Sequence, residues 1–281
     1  MCTPHKSVYI IIPVHNRQDL TLACLENLKV NGDLHKYQAL VVDDGSTDRT
    51  FEEVTASYPE VTILKGDGNL WWTGAITWGM QYAYAQGAEY FIWLNDDTHT
   101  EPNTLNLLID FLTQHPHSIV GASCYASESN QLVETGFKGR YRLKASPDQI
   151  VEVDGLSGYC VGISARIFTQ IGAPDPVRFR HYGGDGMYTL KATRAGFKVY
   201  LLGKAKATLI AETDPVHNFS NYLNQSIKQS KKPTLNLVFG SYKSPYHLIT
   251  QFHIHTYKYG ILIGIPLFIA KAISWLVRFY V

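Results

Sequence analysis

The chain has little cysteine and no cysteine pattern. Its four cysteines, Cys2, Cys24, Cys124 and Cys160, are scattered over 281 residues and never form C-x-x-C, which argues against a disulfide framework or a cysteine zinc site and suits a reducing cytosol. Charge of one sign is lacking too, since 25 Lys and Arg face 24 Asp and Glu. No overall field recruits nucleic acid, so an anionic ligand must be met locally. Met1-Cys2-Thr3-Pro4-His5-Lys6 has neither the basic nor the apolar region of a secretory leader, and the expectation is a chain that stays in the cytoplasm. Internal repeats and low-complexity tracts are absent. What is present is a hydrophobic content of 45%, enough to fill one large α/β domain, or one domain with an appendage.

Four apolar, β-branched runs alternate with helical patterns. Val8 to Val14 is followed by helical spacing of Leu20, Cys24, Leu25 and Leu28, and Ala39 to Val42 by a helix that Ser46 or Thr47 could cap. Val61 to Leu64 precedes a helix over Thr73 to Gln86, and Tyr90 to Leu94 a helix after Pro102, read as its first-turn proline. This alternation predicts a mostly parallel, Rossmann-like central sheet with helices on both faces. The second half is less regular: a strand at Ile119 to Tyr125, a polar stretch from Gln131 to Asp154 outside the main sheet, a helix over Met187 to Ala195, and two apolar runs at Lys198 to Leu202 and Ala207 to Ile210. We expect a domain over 1–215, divided near 115 into two halves, and a C-terminal helical extension over 216–281. Within that tail, Ile261 to Ala270 is wholly apolar, Lys271 interrupts it, and Trp275, Arg278, Phe279 and Tyr280 favour interfaces. A docked helix is one reading. A peripheral membrane anchor on the inner face of the cytoplasmic membrane is the preferred one.

In such sheets ligands bind beyond the carboxyl ends of the strands. There this sequence places His15-Asn16, Asp43-Asp44, Gly66-Asp67-Gly68-Asn69 and Asn95-Asp96-Asp97. Each alone is also a turn or a helix cap; four converging polar tips make a site. A nucleotide-diphosphate sugar would suit it. Its diphosphate calls for Mg²⁺ or Mn²⁺, with Asp97 the candidate ligand, and Asp43 or Asp44 could accept from base or ribose. A hydroxyl attacking the sugar's anomeric carbon needs a base, for which Asp185, between glycines at a helix start, is the candidate; a plain N-cap is the competing reading.

In order, IIPVHNR, VVDDGSTD, GNLWWTGA, WLNDD, GLSGYCVGISARIF and GGDGMYTLKATRAGF resemble the inverting family 2 glycosyltransferases of GT-A fold, over about Val8 to Glu212, with Trp71, Trp72 and Gly74 similar to a rhamnosyltransferase-related subgroup. The resemblance implies a nucleotide-binding half over about 1–115 and an acceptor-binding half over about 116–215, and that Pro13, His15, Asn16, Arg17, Asp43 and Asp44 hold the nucleotide, with Asn69, Trp72, Asn95 and Asp96 also lining the donor site. It further implies that Asp97 ends a metal-binding D-x-D element, that Gly158 and Gly184 border the sugar and acceptor, and that Asp185 is the base of an E-D element. The acceptor so implied is a glycan or a polyprenyl-linked one, in bacterial surface-polysaccharide assembly. Two departures stand out: Asn95 replaces the first acid of D-x-D, and Gly184 the Glu of E-D, with Met187 where a further acid is common. A sugar-phosphate nucleotidyltransferase or a Rossmann dehydrogenase would carry glycines behind the first strand, which Pro13-Val14-His15-Asn16-Arg17 lacks. A decayed transferase fold acting as a binding protein remains the rival from outside the enzymes. His115, His117, His253 and His255 read as capping or solvent-facing, and the alignment of His217 with a metal-ligating histidine is loose.

Overall fold

Alternation of buried apolar runs with amphipathic stretches builds the first half of the protein, in a computed structural model that describes residues 7–210, 219–220, 222–224 and 234–280. β1 (Val8–Val14), α1 (Gln18–Val30), β2 (Gln38–Asp43), α2 (Thr50–Ser57) and β3 (Thr62–Lys65) lead to α3 (Trp71–Ala85) and β4 (Tyr90–Leu94). After β5 (Thr98–Thr100), α4 (Thr104–Gln114) and β6 (Ser118–Ala126) come β7 (Gly136–Lys138), β8 (Tyr141–Leu143), β9 (Ile150–Val153), β10 (Gly155–Leu156) and β11 (Cys160–Ser164). The remaining elements are α5 (Ala165–Ile171), α6 (Gly184–Arg194), β12 (Lys198–Leu209) and α7 (Leu248–Tyr280).

The main sheet runs β3-β2-β1-β4-β11-β6-β12-β5, with β9 also on β12, and a small second sheet runs β10-β7-β8. β1 pairs parallel with β2 and β4, and β6 with β12, whereas β11 lies antiparallel between β4 and β6. One core joins the sheet to α1, α2 and α4, through Leu25, Val54 and Leu108 among others. A second joins the opposite face to α3, α5 and α6, through Ile76, Ile167 and Tyr188. Two covered faces explain why the central strands read as unbroken apolar runs.

The structure corrects several local expectations. α2 is capped neither by Ser46 nor by Thr47; Asp48 Oδ1 accepts the Thr50 N–H at 3.0 Å. Pro102 lies outside α4, before the left-handed N-cap Asn103 (φ 71). The runs 198–202 and 207–210 are one strand, β12, whose register slips between Leu202 and Lys206. There Gly203 abuts the Ser146 backbone and donates its N–H to Gln149 O at 2.9 Å, so the 146–149 loop crosses at the bulge. β9, expected outside the main sheet, is part of it.

α7 breaks at Gly260 (φ 75, ψ 169), a conformation that glycine adopts at little cost. Its first leg, residues 248–259, packs Ile254 and Tyr257 against Phe137, Phe179, Met187 and Leu190. Its second leg folds back so closely that a Cβ on Gly264 would lie 2.4 Å from His255 O. Trp275 and Phe279 then rest on Phe219, Phe239 and Tyr246. The tail is thus partly docked, yet Ile261 and Leu262 are 70% and 90% exposed. By length and composition alone, α7 is apolar enough to cross a membrane. The expected boundary at 215/216 and His217 lie outside the described residues.

Candidate active site

The rim forms where parallel strands release their tips. Pro13 pairs with Val42 inside the sheet, one residue before the end of β1. His15 Nδ1 lies 2.7 Å from Asp44 O, and Asn16, itself left-handed (φ 52), accepts at Oδ1 from Thr47 N (2.6 Å) and Asp48 N (3.2 Å). Both side chains stitch the β1 tip to the β2 tip. Asp43 accepts Ser46 N–H at 2.9 Å through Oδ1, while its buried Oδ2 has no partner. Asp44 is committed elsewhere: its carboxylate accepts N–H groups of Gly68 (2.9 Å), Leu70 (3.0 Å) and Trp71 (2.7 Å). It satisfies the open donors at the α3 start, as an anion at a helix N-terminus does. Asn69 is exposed and lines a cleft on the outer side of that turn with Leu70, Trp78 and Arg180.

The acidic tip after β4 is held together by an arginine 80 residues away. Arg17 Nη2 donates to Asp97 Oδ2 at 2.8 Å, and its Nε lies 3.2 Å from Asp96 Oδ2. Asp96 is 2% exposed; burial pushes its carboxyl up to about 7, Asp97 adds to the rise and Arg17 opposes it. Asp97 is the more open acid, its side chain 19% exposed. Asn95 plays a different part: its Oδ1 accepts the Trp72 indole N–H at 2.8 Å.

Trp72 links this tip to Gly158 and the start of α6. Its ring stands edge-on to Trp93 at 5.6 Å, and a Cβ on Gly158 would sit 2.5 Å from it and 3.1 Å from Asp185 Cβ. Asp185, in the first turn of α6, accepts the N–H of Gly158 at 2.8 Å through Oδ2 and that of Gly186 at 2.7 Å through Oδ1. Burial raises its pKa, opposed first by those two N–H groups and then by Arg142. Gly184 leaves no room for a side chain, since its Cβ would meet Thr73 Oγ1 at 2.0 Å. The Glu expected there by resemblance is excluded by Thr73. Asn95, Trp72, Gly158 and Asp185 therefore form one contiguous line across the β4–β11 junction.

The model for glycosyl transferase family 2 matches residues 9–171, which carry this line up to its last member. The chain belongs to glycosyl transferase family 2. Its likeness to galactofuranosyltransferase GlfT1 of Mycobacterium tuberculosis is 33% identity over 93 residues, 33% of this chain and 30% of that relative's length. An uncharacterized protein of Mycobacterium bovis is 24% identical over 212 residues, 71% of this chain and 72% of its own. Among solved structures, GalNAc-T7 with UDP, GalNAc and Mn²⁺ superposes with a TM-score of 0.61 at 12% identity, covering 95% of this chain and 54% of that one. S. aureus TarS 1–349 gives 0.58 at 14% identity, over 90% and 81%. This family 2 glycosyltransferase thus has the GT-A fold expected.

Beside Trp71, this glycosyltransferase gathers residues that sequence reasoning passed over: Arg180, His181 and Tyr242. Trp71 holds a left-handed backbone (φ 57), and its ring meets His181 at 5.8 Å and Tyr242 at 5.7 Å. Burial, then Lys243 and Arg17, press the His181 imidazole down to about 4. The Arg180 guanidinium lies 4.8 Å over the Tyr242 ring. Aromatic clusters built from segments this far apart leave no local pattern to read. Of the histidine pairs, His115 packs on Phe111, His117 on Phe197, and His253 and His255 pack within the α7 hairpin. No group of three His, Cys, Asp or Glu is placed to hold a metal among the described residues. For a divalent cation the fit rests on Asp97, an open carboxylate already facing a positive group, and on His99 in its field, whose buried Nε2 has no partner.

Proposed function

We propose that this glycosyltransferase moves a sugar from a nucleotide-diphosphate donor to a hydroxyl of a glycan or lipid-linked acceptor, with inversion, at the cytoplasmic face of a membrane. The observation that carries the reading is the line from Asn95 through Trp72 and Gly158 to Asp185. Asp97 would hold Mg²⁺ or Mn²⁺, which when bound neutralises the leaving diphosphate. The indole of Trp72 offers an apolar wall to a sugar ring, and Asn95 fixes its orientation. Asp185 takes the proton of the attacking hydroxyl; its raised pKa strengthens it as a base, while the N–H groups of Gly158 and Gly186 hold the carboxylate in place. A single displacement with the base opposite the leaving group inverts the anomeric centre. Arg17, Asp43 and the β1 tip would face the nucleotide, Arg17 exchanging Asp97 for phosphate.

Support for a nucleotide-sugar donor and a divalent ion comes from the ligands of GalNAc-T7, and for sugar transfer from the likeness to the galactofuranosyltransferase GlfT1. The test is turnover of a panel of UDP-, GDP- and dTDP-sugars with Mn²⁺, with and without a membrane extract as acceptor. Asp185→Asn should cut transfer about 10²- to 10⁴-fold, the usual range for a general base, and leave the donor's thermal shift in place. Equal transfer by Asp185→Asn would overturn the assignment of the base.

A further inference from the structure

Charge is divided unevenly along this chain. Residues 215–281 hold seven of the 25 Lys and Arg and none of the 24 Asp and Glu, so residues 1–214 are net −6 and the tail is +7. Cations gather where the tail adjoins the catalytic domain: Arg142 of β8 pairs with Phe137 of β7, Lys258 at the end of the first leg of α7 lies over that same ring, and Lys271 of the second leg acts on Lys258. Their fields overlap at Lys258, where the one opposing charge is Asp154. That carboxylate already accepts the Gly139 N–H at 2.6 Å. Lys258 rests its ammonium 4.0 Å over the Phe137 ring, and none of the three cations forms an ion pair among the described residues. Arg194 of α6 fixes the place of Lys258 by donating to the carbonyls of Tyr257 (2.7 Å) and Lys258 (2.9 Å).

We propose that Arg142, Lys258 and Lys271 bind the phosphate of a lipid-phosphate acceptor beside Asp185, the lipid chain lying along the exposed apolar side of the second leg of α7. This deepens the proposed function and rests on it. Crowded like charges with their counter-charge committed elsewhere call for an anion. Phe137, which pairs with Arg142 and carries Lys258 on its ring, stands against Gly186, where a Cβ would lie 3.2 Å from it, and so puts that anion next to Asp185. Ile261, Leu262 and Ile263, exposed at 60–90%, begin directly after the Gly260 break. Apolar surface adjoining unpaired cations matches an amphiphile with an anionic head, and neither a free sugar nor a nucleic acid supplies the apolar half. Desolvation, then Arg142, pushes the Lys258 ammonium down to about 8; an adjacent phosphate would reverse that shift.

The experiment measures binding of farnesyl phosphate, farnesol and inorganic phosphate to the full chain by calorimetry. Wild type should bind farnesyl phosphate at least about tenfold more tightly than farnesol, the worth of a charge-assisted contact. Arg142→Gln and Lys258→Gln should each remove most of that advantage, and the double variant all of it. Both side chains are at least partly exposed, so unchanged circular dichroism and melting temperature are expected and are measured alongside. Equal binding of farnesol, or unaltered binding by the double variant, overturns the phosphate site. Displacement of farnesyl phosphate by inorganic phosphate at equal concentration overturns the lipid half. The nucleotide-sugar thermal shift with Mn²⁺ is read on the same proteins: its absence in wild type counts against the transferase reading, whereas its retention in variants that lose farnesyl phosphate separates the two.

Discussion

Gly158→Ala adds one methyl group at the narrowest point of the site. The new Cβ would lie 2.5 and 2.7 Å from two Trp72 ring carbons and 3.1 Å from Asp185 Cβ, where carbon atoms rest at about 3.5–4.0 Å. About 1 Å of movement is required. Trp72 is pinned by Asn95 at 2.8 Å and by the edge of Trp93, and Asp185 by the Gly158 N–H itself. Overpacking of this kind costs about 1–3 kcal/mol, which for a domain of this size lowers the melting temperature by roughly 2–10 °C. Displacing a reacting group by about 1 Å costs about 10²-fold in rate. Transfer in the folded protein at 25 °C should therefore fall about 10²-fold, far beyond what the lost stability explains. Trp72→Phe removes the part of the ring that clashes, so Gly158→Ala/Trp72→Phe should regain stability relative to the sum of the single changes. The assay is single-turnover transfer with calorimetric melting. A Gly158→Ala protein with wild-type rate and melting temperature would refute the close approach of Trp72 to Gly158.

Other tests address the charges. Removing Arg17 (Arg17→Ala) frees Asp97 and should tighten Mn²⁺ binding without nucleotide about fivefold or more, from the loss of one partly exposed charged hydrogen bond; equal affinity by paramagnetic resonance counts against the pairing. Asp44→Ala leaves three backbone N–H groups at the α3 start without their acceptor and should cost about 2–4 kcal/mol by urea unfolding. His181 is held near 4 when folded and titrates near 6.5 when unfolded. Below pH 6.5 the unfolded chain takes up the proton first, so stability is full above that pH and falls towards pH 4, by about 2 kcal/mol at pH 5. His181→Gln should lack this loss when unfolding is compared at pH 7 and pH 5.

Much of the fold was legible because the central strands are covered on both faces and therefore read as unbroken apolar runs ending in polar tips. The same rule placed Asp97 at the tip after β4, and the glycine-flanked Asp185 does lie in the first turn of a helix; its role as base was implied by the family resemblance and belongs to the proposed function. What the sequence hid are contacts between segments far apart. The pairing of Arg17 with Asp97 spans 80 residues, and the Asp44 bonds reach 24 to 27 residues ahead, so a local reading could not see that both side chains already have partners within the fold. Asn95 looked like a weakened metal ligand; in the structure it holds an indole. Gly184 looked like a lost glutamate, and only the position of Thr73 shows that no side chain fits there. β9 and the bulge in β12 depend on strand pairing, which short apolar runs do not encode.

α6 carries Asp185 in its first turn, and Arg194 at its last residue grips the end of the first leg of α7. Eleven residues of helix make a stiff strut of roughly 16 Å. A tilt of ~5° about the grip would swing the carboxylate by ~1.4 Å, on the scale at which positioning governs rate. The tail and Asp185, the proposed base, are thus the two ends of one lever, and the seating of the tail would set how well that carboxylate is aimed.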